Sequence, residues 1–399
     1  MESIIKSLIQ TWGVTSTTGQ ELVAILVMLA FSALVLLGFF LPFAGITSWL
    51  ERRIAGRMQA RVGPNINGPQ GFLQWIADGV KAMEKEDLMP EDADAPLFKV
   101  APYFVFMGVA ATLIAIPFSE YLVISNLNIG VFYIISVTSF VTVGILLAGW
   151  SSNNKWSLIG GVRSASQMIS YEIPVALSIL TVVLLTGSLN MQDIVKAQGF
   201  WPWQWHISNN PFMIVMFFVF FISSLAEGSR TPFDLPEAES ELVSGYNTEY
   251  SSMRFALFFL AEWGNLFVIG AMTTVLFLGG WQAPEALNGS VWLTPVQFII
   301  FMTKMSVMVF IIIQLRWTLP RVRVDQLMIV CWHYFVPLAL LSILVVAIWM
   351  AISHSLPVLQ TVMSIISFAI WGFFIFLVLY RAVRNFKKTD AKLNLNFLE

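Results

Sequence analysis

Nine stretches of this chain are long and apolar enough to cross a lipid bilayer, and they restrict the fold more than any other feature. They lie near 22–49, 97–118, 130–150, 167–187, 211–227, 253–280, 295–316, 332–353 and 357–381. Crossing the hydrocarbon layer takes roughly 20 residues of helix, because no water is there to satisfy backbone polar groups. Of the 399 residues only 12% are charged and 57% are hydrophobic, whereas a soluble domain carries about a quarter charged residues. The fold class is therefore an all-α polytopic membrane protein, a single integral membrane domain over 1–399. The N-terminus carries Glu2, Lys6 and Glu21, and the apolar run behind it is too long for the core of a cleaved signal.

Basic residues orient the spans. Eighteen of the 22 lysines and arginines fall in 50–96, 151–166, 228–254, 316–331 and the tail from Arg381; the other side holds Lys6 and Lys196. The positive-inside rule places the first set and the C-terminus in the cytoplasm, and the N-terminus outside.

Within the first cytoplasmic connection, Arg53, Arg57 and Arg61 follow one another at four-residue spacing along one helical face, which suits lipid headgroups. Then "QGFLQWIADGVKAMEKEDLMP" puts Phe72, Trp75, Ile76, Gly79, Val80 and Met83 on one stripe and Gln74, Asp78, Lys81 and Lys85 on the other. That pattern predicts an amphipathic helix of about five turns, ended by Pro90, lying on the membrane or against a partner.

The connection "EGSRTPFDLPEAESELVSGYNTEYSSMRF" holds six of the 24 carboxylates: Glu227, Asp234, Glu237, Glu239, Glu241 and Glu249. Pro236 suits the first position of a short helix that Gly245 would stop. Glu237 and Glu241 are four apart and repel. Arg230 and Arg254 cannot neutralise six acids, so the loop implies basic partner surfaces or partial protonation.

Three acids belong to the spans. Glu262 comes about ten residues into its helix, hence roughly 15 Å deep, where an ionisable group costs about 2.5–3.5 kcal/mol and calls for a function. Glu172 stands a turn and a half into the fourth span, just before Pro174, and Glu227 closes the fifth. The plainer alternatives are an interfacial anchor for Glu227 and a buried acid satisfied by hydrogen bonds for Glu262. Facing one another, the three would titrate as a coupled set, the make-up of a proton relay. Cys331 has no partner in the chain, and His206, His333 and His354 are scattered without metal-ligand spacing. A redox centre must then belong to a partner or diffuse in as substrate. The net charge of −2 gives no sign of nucleic acid.

The acidic loop continuing into "ALFFLAEW", together with "GFLQWIADGVK" (71–81) and "RWTLPRVRVDQLM" (316–328), resembles the H-subunit family of bacterial respiratory complex I, the NADH–quinone oxidoreductase. The similarity runs from "LERRIAGRMQARVGPN" to Trp332. It implies a membrane-arm subunit that forms much of the quinone chamber. Its partners would be peripheral-arm quinone-site subunits, neighbouring membrane subunits and lipids. Flavin and iron–sulfur clusters would sit in those partners, quinone would be the substrate, and the location would be the bacterial inner membrane. By resemblance, Glu172, Glu227, Glu262, Asp234, Glu237, Glu239 and Glu241 form the proton path, and Arg52, Arg61, Asp78, Arg230 and Phe233 lie around the quinone. His333 departs from the family, which has lysine there, and the ninth span exceeds the eight of shorter relatives. Ferredoxin-fed or hydrogenase-type complexes are the neighbouring readings. A stand-alone proton-coupled transporter would show two corresponding halves with broken helices, and the motif-rich loops are all dissimilar.

Overall fold

The computed structural model describes residues 36–235, 239–285, 290 and 292–355, with scattered positions within 22–34 and 362–384. The described residues form helices and connecting turns. We label the principal helices α1 (Leu41–Met58), α2 (Gln74–Glu84), α3 (Ala95–Thr112), α4 (Gly130–Ser151), α5 (Lys155–Thr186), α6 (Pro211–Glu227), α7 (Ser252–Phe277), α8 (Leu293–Thr318), α9 (Val324–Ile329) and α10 (Val336–Ser355). A π-helical turn, Val330–Phe335, joins the last two into one rod. Among the described residues six helices are long and apolar enough to span a membrane: α3, α4, α5, α7, α8 and the continuous Val324–Ile352. α6 is apolar but has 17 residues. The expected first and ninth spans are described only in part, with unbroken runs over 36–49 and 365–373.

Helix neighbours follow chain order through α3, α4, α5 and α6, and α7 returns to pack on α3 and α8. Small residues permit close approach where helices cross. A Cβ at Gly144 on α4 would stand 2.9 Å from the Val105 backbone nitrogen on α3. One at Gly160 on α5 would stand 2.8 Å from the Gly245 Cα, so this glycine seats the acidic loop.

The connections segregate to two ends. At one end Arg316 pairs with Glu51, Arg254 with Asp87 and Arg321 with Glu241, Asn154 bonds Glu249, and the Val322 amide donates to the Pro232 carbonyl. At the other, Lys196 pairs with Glu120, Gln297 accepts from the Glu120 amide, and Gln282 donates to the Val195 carbonyl. Connections joining alternate spans therefore lie together, as the charge pattern requires.

Four local expectations are corrected. α2 has 11 residues, about three turns, and Lys85 is already extended. Glu84, Glu86 and Asp87 are unfavourable at the negative helix end, and the Ser252 hydroxyl caps the Ala82 and Lys85 carbonyls instead. α5 begins at Lys155, capped by the Asn154 side chain, so Glu172 lies near the middle of a 32-residue helix and not a turn and a half in. The residues Gly160 and Gly161, which read as loop, are packing positions. α1 stops at Met58, and Ala60 takes a left-handed φ of 53°. Arg61 thus leaves the face of Arg53 and Arg57. The acidic loop's helix is a single turn, Glu239–Leu242, and Val243 at φ 65° ends it two residues before Gly245. Pro236 and Glu237 lie outside the described residues, as does the side chain of Glu239.

Candidate functional site

Four charges from four elements meet below the acidic loop. Arg230, just beyond α6, is 1% exposed and lies 3.0 Å from Glu262 of α7 and 3.6 Å from Glu51 of α1. Arg316 of α8 holds Glu51 at 2.5 Å and stands 3.8 Å from Glu262. Two acids and two arginines balance, which is what allows burial: an unpaired charge there would cost several kcal/mol. Local sequence places each one. On α1 the residues Ala44, Thr47, Ser48, Glu51 and Ala55 share one face, and all are buried. Gln167 of α5 fixes the turn that carries Arg230, donating its Nε2 to the Ala226 and Phe233 carbonyls at 2.7 Å each.

Asp234 lies in that turn. Burial raises its carboxyl above the usual range and the charge of Glu262 adds to this, while Arg316, Arg230 and Arg321 pull the other way. Its neutral form is therefore favoured relative to an exposed aspartate.

Beside the cluster runs an apolar cavity of about 570 Å³, lined by α1 (Leu41, Ser48, Arg52), α2 (Trp75, Asp78, Met83) and α7 (Phe255, Phe259, Trp263) among others. The apolar stripe of α2 faces this space, and its Val80 and Met83 are exposed among the described residues. Arg52 and Asp78 pair across it at 2.5 Å, and Gln74 supports Asp78 at 2.9 Å. Trp263 joins cavity to cluster, because it lines the first and carries the Arg230 guanidinium 4.7 Å from its ring centroid. Such a cation–π contact gains strength away from water.

A second pair of acids lies farther in. Glu172 accepts a 2.5 Å hydrogen bond from Ser139 of α4. Glu227, at the end of α6, interacts electrostatically with Glu172. Glu227, Thr138, Ser224 and Asn265 border a small cavity of about 30 Å³, room for one or two waters. Asn265 stands one helical turn from Glu262 on α7.

A family model described as NADH dehydrogenase matches residues 31–347. The chain belongs to this NADH dehydrogenase family. Similar proteins include the NADH-quinone oxidoreductase H subunit of Anaeromyxobacter dehalogenans, 50% identical over 357 residues, covering 86% of each chain. The corresponding H subunit of Dehalococcoides mccartyi is 46% identical over 316 residues, 78% of this chain and 84% of its own. That of Rickettsia prowazekii is 46% identical over 316 residues, 78% of this chain and 90% of its own. The family match ends before the ninth span.

For this NADH dehydrogenase family member, the sequence-predicted residues divide into groups. Glu262, Arg230 and Asp234 gather at the buried cluster, Glu172 and Glu227 at the inner pair, and Arg52 and Asp78 at the cavity. Glu241 is half-exposed between Arg163 at 2.9 Å and Arg321 at 3.4 Å. Arg61 is exposed and bonds the Gln59 side chain at 2.6 Å, away from the cavity lining. Phe233 is buried against Tyr171, 5.9 Å between centroids. Sequence reasoning missed Glu51, Arg316, Gln167, Thr138, Ser139 and Asn265. The small-residue stripe Ala44, Ser48, Ala55 was the available signal for Glu51.

Proposed function

We propose that this chain is the membrane-embedded H subunit of a proton-pumping NADH–quinone oxidoreductase. Quinone occupies the cavity between α1, α2 and α7, and the carboxylates carry its reduction into proton movement. The observation that carries the reading is the shared wall: Trp263 faces the cavity and holds Arg230, which pairs with Glu262 and Glu51. Quinone reduction takes up two protons and creates negative charge on the way. Charge beside Trp263 acts on the Arg230–Glu262 pair and alters the preference of the neighbouring Asp234 for its proton, since solvent screening there is weak. From Glu262 the path passes Asn265 to Glu227 and then Glu172. Glu241, with Glu237 and Glu239, forms its outer approach. Arg52 and Asp78 orient the quinone at the cavity, Arg230 and Phe233 build its inner end, and Arg61 attaches to the neighbouring protein that completes the chamber.

In this reading flavin and iron–sulfur clusters sit in partner subunits, and the protein lies in the bacterial inner membrane with the acidic loop and C-terminus in the cytoplasm. The names of the relatives favour it over ferredoxin-fed or hydrogenase-type complexes. The test is photolabelling of the assembled complex with a reactive quinone analogue. Label on α1, α2 and α7 residues such as Trp75 and Phe259, competed by native quinone, is the expected result. Label confined to other surfaces overturns the assignment.

A further inference from the structure

We propose that Gly45 of α1 and Trp75 of α2 form a matched pair that sets how wide a quinone ring the cavity accepts, and so determine specificity. The inference rests on the reading, given above, that quinone occupies this cavity. Both residues line it. Gly45 lies inside α1, where a glycine costs about 1 kcal/mol relative to alanine. What offsets that cost is the indole of Trp75, which lies against the bare backbone. A Cβ at Gly45 would stand 2.6 Å from Trp75 Cδ2 and 3.0 Å from Cγ, and closer still to Cε3. Carbon atoms in contact prefer about 3.5–4.0 Å, so one methyl here requires the ring to withdraw by about 1 Å. Cγ and Cδ2 are the root and fusion atoms of the indole, not the far end of a flexible chain. The whole ring has to move.

The tryptophans of α1, α2 and α7 are held in different ways. Trp49 donates its Nε1 to the Gln70 carbonyl at 3.2 Å. Trp263 is held by the Arg230 guanidinium over its ring. Trp75 Nε1 is buried and has no hydrogen-bond partner among the described residues. Shape alone therefore positions Trp75, and Gly45 supplies that shape on the α1 side. Withdrawal from α1 carries the indole towards the opening it already lines, whose α7 wall is Phe255, Phe259 and Trp263. The opening narrows as a result. A flexible isoprenoid tail rearranges around a narrower wall, whereas a planar ring system cannot bend. The pair thus discriminates by the size of the rigid head: fused two-ring quinones are excluded before single-ring ones.

The experiment uses the assembled complex in native membranes, with single-ring and fused two-ring quinones of matched tail as acceptors. The variants are Gly45→Ala, Trp75→Leu and the two combined, and KM, kcat and assembly on native gels are read for each. One methylene in an apolar pocket changes discrimination by about tenfold or more. Gly45→Ala should therefore raise KM for the fused-ring quinone about tenfold relative to the single-ring one, with kcat nearly unchanged. Trp75→Leu should move the ratio of the two KM values the opposite way, and in the combined variant the methyl should no longer have an effect. A loss of assembly or rate that falls on both quinones alike, with the KM ratio constant, indicates a merely structural pair and overturns the proposal. If Gly45→Ala does not assemble, Trp75→Leu alone decides: a KM ratio that stays at its native value overturns the proposal. Unchanged ratios in both single variants, with α1, α2 and α7 still labelled by the reactive quinone analogue, overturn this proposal alone. Absence of that label from all three helices overturns the quinone reading itself.

Discussion

Nη1 of Arg230 lies 3.0 Å from Oε1 of Glu262, and the guanidinium sits over the ring of Trp263. The neighbouring Glu51 and Arg316 are already engaged with each other. Arg230→Met should leave excess negative charge buried at a cost of about 3–5 kcal/mol, visible as loss of assembled complex on native gels. Adding Glu262→Gln should recover assembly in part without recovering pumping. Equal damage in the single and double variants would show that the pair is not coupled.

Gln167 satisfies two carbonyls with one amide nitrogen. Gln167→Leu orphans both, and each unsatisfied group costs about 1–3 kcal/mol. Gln167→Glu sets a carboxylate against the same two acceptors and should be worse. Both variants should lower the thermal inactivation midpoint of the purified complex, in that order of severity.

Ser252 ties α2 to α7 through the Ala82 and Lys85 carbonyls at 2.9 and 2.7 Å. Ser252→Ala should loosen one wall of the cavity while leaving the ion cluster intact. Losing about 0.5–1.5 kcal/mol of tethering should raise KM for long-tailed quinones severalfold with kcat nearly unchanged. Steady-state kinetics with short- and long-tailed quinones read this directly.

Glu241 pairs with Arg163 and Arg321 where solvent reaches all three. Such bridges contribute at most about 1 kcal/mol, so Glu241→Gln should assemble normally. A fall in protons moved per electron in that variant is then a charge effect and not a folding defect.

His206 is buried, and burial holds its imidazole down to about 4. Below pH 6.5 the unfolded chain takes up a proton that the folded one refuses, so stability falls as pH drops from about 6.5 towards 4. The full difference is about 3 kcal/mol. His206→Asn should flatten the acid side of the thermal-stability profile of the solubilised complex and leave the neutral side unchanged.

Span positions and their alternation were legible because apolar length and arginine placement are properties of the chain alone. Glu262 was legible for the same reason: a lone acid in an apolar helix has no local excuse. Glu51 was not, since it precedes Arg52 and Arg53 and reads as one more surface charge; only the packing of α1 against α7 and α8 turns it inward. Ser139 and Gln167 are ordinary polar residues whose roles exist only through partners 33 to 66 positions away. The shortness of α2 depended on a serine 167 residues distant, beyond the reach of any periodicity.

α7 is gripped at both ends. Arg254 and Ser252 fasten one end to the segment around Asp87 and Lys85. At the other, Gln198 bonds the Val275 carbonyl and the Gly279 amide, and Lys304 bonds the Leu278 and Gly280 carbonyls. Between these clamps the same helix presents Trp263 to the cavity, Glu262 to the ion cluster and Asn265 to the inner acids. Sliding this rod along its axis would break bonds at both clamps together. α7 is thus a rail held at both ends, so the side chains it presents to the cavity, the ion cluster and the inner acids keep a set spacing along one axis.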